Sequence, residues 1–147
     1  MNSERTGECL FCSLPKENDD ESNRILHRGE HCFVVINVFP YSNGHVMVVC
    51  SRHVEHFSDL SEDEGAEVMA LISQCEKALL DEYRPGGINL GVNLGRSAGA
   101  GILGHLHIHL VPRWHGDTNF MTAVAETRVI SEDLTDTYRR LKPYFDK

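Results

Sequence analysis

Three histidines, His105, His107 and His109, occupy alternate positions of GHLHIHLVPRW, residues 104–114. On an extended strand successive side chains point to opposite faces, so the three imidazoles line one side, about 6.6 Å apart, twice the rise per residue. On a helix they would spread over about 200° and share no face. Leu106, Ile108 and Leu110 then form the opposite, apolar face, and Pro112 ends the ladder. Neutral imidazole is a nucleophile near neutral pH, and neighbouring groups can donate a proton to a leaving oxygen. Attack on phosphorus would give a covalent phosphoramidate-type intermediate and split a displacement into two steps. Metal binding and a solvated polar strand face are the competing readings of the same pattern.

A second group of chemistry-bearing residues lies far away in the chain. Cys9 and Cys12 form CLFC, a C-x-x-C pair with three readings: zinc, redox thiol or accident. A redox pair needs a helix N-terminus behind it to lower a thiol pKa, and Pro15 followed by a polar loop offers little of that. A structural zinc needs two further ligands. Cys32, Cys50 and Cys75 sit within apolar patterns and read as small core residues. The loop GRSAGAGILG, 95–104, stands immediately before the histidines. Its glycines would let backbone N–H groups approach phosphate oxygens as an anion-binding nest. Arg52 and Arg113 either steer phosphates or pair with surface acids, and Trp114 either stacks a base or sits at a rim contact.

Elements must hold these groups together. HCFVVINVF, 31–39, is β-branched and aromatic and reads as a strand. Pro40, Asn43 and Gly44 make a turn into HVMVVCS, 45–51, giving an antiparallel pair. RILHRGE is a short strand, and INLGVNL, 88–94, is another. Ser61 with Glu64 forms a capping box. Val68, Leu71, Ile72, Cys75, Leu79 and Tyr83 follow as one apolar stripe of an amphipathic helix ended by Pro85, Gly86 and Gly87. Residues 131–145 read as a closing helix with Ser131 as N-cap. The acidic stretch PKENDDESN, 15–23, reads as a flexible connection. This order predicts an α+β fold: an antiparallel sheet, one main helix across it and a short C-terminal helix.

The chain has 147 residues, about one domain. Its net charge of −8 disfavours long nucleic acid, although a pocket can still hold a small anion. The start, MNSERTGE, is polar and lacks the apolar run of a signal peptide, and no stretch approaches the ~20 apolar residues of a membrane span. The reading is a cytoplasmic protein whose five cysteines are reduced.

His105-Leu106-His107-Ile108-His109-Leu110-Val111 resembles the signature of the histidine triad (HIT) family, His-φ-His-φ-His-φ-φ with φ apolar. The resemblance extends through INVFPYSNGHVMVV, 36–49, NLGRSAGAG, 93–101, and VPRWHGDTNF, 111–120, covering most of residues 9–120 of a single HIT domain spanning 1–147. PRWHGDTNFM is similar to the bacterial diadenosine tetraphosphate phosphorylase-like branch. The resemblance implies that His107 attacks the α-phosphorus of an adenosine nucleotide and that His109 contacts phosphate and leaving group. It also implies that a carbonyl near His105 orients the nucleophile, with His45 bordering it. Asn37 aligns with a ribose-binding position and Asn93 with a phosphate-site asparagine. Each has a plainer reading, as a bulge or turn residue and as a loop cap. Ile36, Phe39 and Val46 wall a base or fill the core. Where relatives often carry Gln or Ser, four residues before the first histidine, this chain has Gly101, so Gly99, Gly101 or Arg96 would have to meet the phosphate. The resemblance also implies a structural zinc on Cys9, Cys12, His53 and His105, with His56 a rival to His53. It implies no organic cofactor, and a homodimer. A phosphoramidate hydrolase and a nucleotide-binding regulatory module are the alternative functions.

Overall fold

The computed structural model describes residues 8–100, 102, 104–117 and 132–146. Its centre is a five-stranded antiparallel sheet. β1 (Ile25–Arg28), β2 (Cys32–Ile36), β3 (Val46–Cys50), β4 (Gly87–Gly91) and β5 (His107–Arg113) run in the order β1-β2-β3-β5-β4. Short helices α1 (Leu10–Ser13) and α2 (Asp20–Asn23) precede the sheet, α3 (Glu62–Tyr83) follows β3, and α4 (Leu134–Leu141) closes the chain.

Alternation along the strands builds two cores. Val34, Ile36, Val46, Val48, Ile108 and Leu110 face α3 and pack with its Val68, Leu71, Ile72, Cys75 and Leu79. The opposite face carries Phe33, Val35, Met47 and Val49, and a smaller cluster forms there with Ile25 and Phe11. β5 pairs with β3 so that His107 lies opposite Val49 and His109 opposite Met47. The histidines therefore share the face that α3 leaves uncovered. That division follows from period-2 alternation, because a shift of one residue would bury the imidazoles under α3.

Local signals place the ends of the elements. Ser61 Oγ accepts from Glu64 N at 3.1 Å while the Glu64 carboxylate accepts from Ser61 N at 2.9 Å, completing the capping box. Gly44, at φ +82°, turns β2 toward β3, and a Cβ there would meet Tyr83 at 3.0 Å and Leu79 at 3.2 Å. Only glycine satisfies both that dihedral and that approach.

Two expectations about the ends of the chain change. The stretch 15–23 is structured: a 3₁₀ turn at Leu14–Lys16 leads to α2, capped by Asp19, and Arg28 ties it down through Asp20 and the carbonyls of Pro15 and Glu17. A segment with little to bury is ordered here by hydrogen bonds, which composition does not register. The closing helix starts at Leu134 with Asp133 as its cap, accepting from Thr135 N at 2.7 Å; Ser131 lies outside the described residues. Asp133 caps the helix because its side chain reaches a free amide of the first turn.

Candidate functional site

β5 and the residues just before it supply the three imidazoles, and each has a ring nitrogen committed to a partner that decides its proton. His107 Nδ1 lies 2.8 Å from the carbonyl oxygen of His105. A carbonyl only accepts, so Nδ1 carries a proton, and in the neutral ring Nε2 is the nitrogen with the lone pair. The residue is 5% exposed, and its ring lies 5.1 Å from that of Phe11 and 5.1 Å from that of His109. It is buried, but among aromatic and imidazole rings on the histidine face.

His109 Nδ1 lies 2.8 Å from Nε2 of His45, which is fully buried. Burial, then the neighbouring His107, brings the His109 pKa down to about 4, so the ring is neutral at physiological pH. His45 thus bonds to His109 and not to His107. Asn37 is buried beside it, Nδ2 3.5 Å from His45 Nδ1, with Oδ1 accepting from Phe39 N at 3.0 Å.

His105 precedes β5 and belongs to a different cluster. Its Nε2 donates to the Cys50 carbonyl at 2.6 Å, which leaves Nδ1 unprotonated, 3.4 Å from Cys9 Sγ and 3.5 Å from Cys12 Sγ. His53 Nδ1 is 3.2 Å from Cys12 Sγ, and the four donor atoms lie within 4.8 Å of one another. Bonds of about 2.3 Å to sulfur and 2.0–2.1 Å to nitrogen would space tetrahedral ligands about 3.3–3.8 Å apart, close to the three sulfur–nitrogen contacts of 3.2–3.5 Å. Burial, then the adjacent Cys9, raises the Cys12 thiol to about 11. The loop after β3 delivers His53 because Leu106 N bonds to Val54 O at 2.7 Å. Gly104 clears its path: at φ +73°, a Cβ there would lie 3.2 Å from His53 Nε2. His56, by contrast, is exposed beside Glu55 and outside this cluster.

Other anticipated residues take their plainer roles. Ile36 and Val46 are in the α3-side core, facing away from the histidines, while Phe39 is largely exposed. Arg52 is bound to Glu64 and the Asp59 carbonyl, and Arg113 to Asp117 and Asn89. Trp114 packs edge-on against Tyr83. Asn93 Nδ2 bonds to the Gly99 carbonyl as a loop cap. In the glycine loop, the N–H groups of Ala98, Gly99 and Ala100 bond to the carbonyls of Gly95 and Arg96, so these three amides close a turn rather than face an anion. Arg96 is exposed, and Gly101 lies outside the described residues.

Two contributors carried no motif. Phe11, between the two cysteines, is fully buried against His107 and His105, with ring centroids at 5.1 and 5.5 Å. Tyr41 stacks on His45 at 5.0 Å and 22°. An aromatic inside a C-x-x-C pair was the available signal for the first; the second is visible only once the turn is folded.

Comparison with known proteins agrees with this geometry. A family model described as "HIT domain" matches residues 18–116. A Mycobacterium tuberculosis protein named AP-4-A phosphorylase is 42% identical over 131 residues, 89% of this chain and 67% of its own length. A histidine triad nucleotide-binding protein from Sulfolobus tokodaii superposes with a TM-score of 0.74 at 26% identity, over 94% of this chain and 92% of its own. A zinc-bound histidine triad family protein from Mycobacterium smegmatis shares the fold at a TM-score of 0.75 and 22% identity, over 95% and 94%.

Proposed function

Because this chain belongs to the HIT domain family, we propose that it is a nucleotide hydrolase or nucleotidyltransferase working through a covalent nucleotidyl-histidine on His107. The observation that carries this reading is the bond from His107 Nδ1 to the His105 carbonyl at 2.8 Å. In the neutral ring that bond puts the proton on Nδ1 and leaves the Nε2 lone pair as the nucleophile. Nε2 attacks the α-phosphorus of an adenosine nucleotide: the N–P bond forms and the P–O bond to the remaining phosphates breaks. His109, neutral at physiological pH and one register position away, hydrogen-bonds the departing oxygen. Water or inorganic phosphate then attacks the adduct and returns His107 to its neutral form. Asn37 and His45 lie on the same face as the reacting imidazoles, which suits a ribose contact and a supporting ring. The name of the 42% identical relative favours diadenosine tetraphosphate as substrate.

The reading extends to metal and assembly. Cys9, Cys12, His53 and His105 suit one structural zinc, two thiolates and two imidazoles in a closed site. Such an ion supplies a crosslink that pins the N-terminal arm to the sheet, and the reaction is assigned to the imidazoles alone. A second copy of the chain suits the edge strand β4, where Leu90 is 56% exposed; sedimentation at twice the chain mass is the expected result and a monomer the contrary one. Among the described residues no helix is long and apolar enough to cross a membrane. The proposed setting is the reducing cytoplasm, where the five cysteines stay thiols.

The test is incubation with diadenosine tetraphosphate, with and without inorganic phosphate, followed by acid-free trapping and mass analysis. The expected result is an adenylyl adduct on His107 that is absent from His107→Ala, with ADP release when phosphate is the acceptor. Tight binding without turnover would overturn the enzymatic reading in favour of a regulatory module. Turnover of an adenosine phosphoramidate alone would change the leaving group and keep the nucleophile.

A further inference from the structure

The bonds around His45 form a chain whose direction is decided at one end by a group that can only donate. The backbone N–H of Tyr41 lies 3.1 Å from His45 Nδ1, so that nitrogen must accept. A neutral His45 therefore carries its proton on Nε2 and donates it to His109 Nδ1 at 2.8 Å. His109 Nδ1 accepts, so its remaining proton sits on Nε2. Among the described residues that Nε2–H has no hydrogen-bond partner, and the ring centroids of His109 and His107 are 5.1 Å apart.

We infer that Tyr41 is a positioning residue: its main-chain N–H orders the protons of His45 and His109 so that His109 presents an Nε2–H donor while remaining uncharged. This rests on the reading of the histidine face as a phosphoryl-transfer site, and adds how its donor is prepared.

Two further observations support the inference, and the Asn37 contacts are compatible with either direction. The Tyr41 ring stacks on His45 at 5.0 Å and 22° and reaches His109 at 6.4 Å, covering the chain from above. Asn37 Oδ1 is taken by Phe39 N, so its amide presents Nδ2 to the His45 edge, 3.5 Å from Nδ1 and 3.4 Å from Nε2. These contacts are longer than the Tyr41 bond and reach both ring nitrogens nearly equally, so the direction is set by the Tyr41 N–H. His45 is fully buried, which favours a neutral ring with one defined tautomer over a solvated imidazolium. The opposite tautomer would set the Tyr41 N–H against a protonated Nδ1 at 3.1 Å, donor against donor.

Nitrogen-15 spectra of the histidine side chains in the resting, metal-loaded protein read the tautomers directly and need no substrate. The expected result is Nε2–H for both His45 and His109. Tyr41→Ala keeps the amide and should keep both tautomers. Tyr41→Pro removes it and should shift His45 toward Nδ1–H or a mixture, with His109 following. In turnover of diadenosine tetraphosphate, Tyr41→Pro should lose about 10²-fold in kcat with little change in KM, the lower end of general-acid contributions. An Nδ1–H tautomer on His45 in the wild type or in Tyr41→Ala overturns the inference, as does a folded Tyr41→Pro with unchanged tautomers. The wild-type and Tyr41→Ala spectra decide it even if the proline variant does not fold. Wild-type tautomers as expected, with no turnover of any nucleotide, would retire the proposed function and leave the proton order standing.

Discussion

His109 is the residue whose chemistry depends most on its surroundings. Burial disfavours its charged form and takes its pKa to about 4, below the ~6.5 of an unfolded histidine. Between those values the unfolded chain binds more protons than the fold, so this contribution to stability is complete above about pH 6.5 and is lost as pH falls toward 4. The expected result is a melting temperature that drops between pH 7 and pH 5, with a smaller drop in His109→Gln. An equal slope in both proteins would show that His109 is not the group responsible. At the same scale, His107→Ala should abolish the nucleotidyl adduct outright. His109→Ala should leave a slow adduct, down by about 10²–10⁴ in rate, because it removes the donor and keeps the nucleophile. Residue types and spacing made these imidazoles conspicuous in the sequence. Which ring nitrogen each of them exposes was not legible, because it is decided by carbonyls and amides that the backbone brings up only on folding.

Among the elements, the one-turn helix α1 is short, yet it places Phe11 in the smaller core while turning both cysteines toward His53 and His105. Phe11→Ala removes a fully buried ring and should cost about 3–5 kcal/mol, read as a shift in the urea midpoint. Because the same ring packs on His107, Phe11→Leu should recover much of that stability but leave the rate of adduct formation reduced. Full recovery of both would make Phe11 a packing residue only. The main helix α3 was readable from its stripe and its capping box. Glu64 was not readable as more than a cap: it also accepts from Arg52 at 2.7 Å and from Cys50 at 3.2 Å, and these donors hold its carboxyl well below the usual range. The segment 15–23 was misjudged for a related reason, since its order comes from long-range bonds to Arg28 and not from any apolar residue of its own.

At the scale of the molecule, the arm that carries Cys9 and Cys12 is joined to the sheet through side chains separated by more than ninety residues of sequence from His105. Loops that long contribute most when closed by a crosslink, so a metal here should matter for global stability. Metal analysis should find about one zinc per chain, with loss in Cys9→Ser/Cys12→Ser and a lower melting temperature after chelation. A metal-free wild type of equal stability would contradict the site.

The sequence by itself determines the α+β plan, the strand carrying the three alternating histidines and the main helix. All of these depend on periodicity, turn chemistry or spacing within a short window. Tertiary structure alone decides that His105 turns to the cysteines while His107 and His109 turn to each other, that Arg52 and Arg113 are spent on acids, and that Tyr41 meets His45. Those outcomes depend on hydrogen-bond partners supplied by distant segments, and a one-dimensional pattern does not contain the direction of a proton.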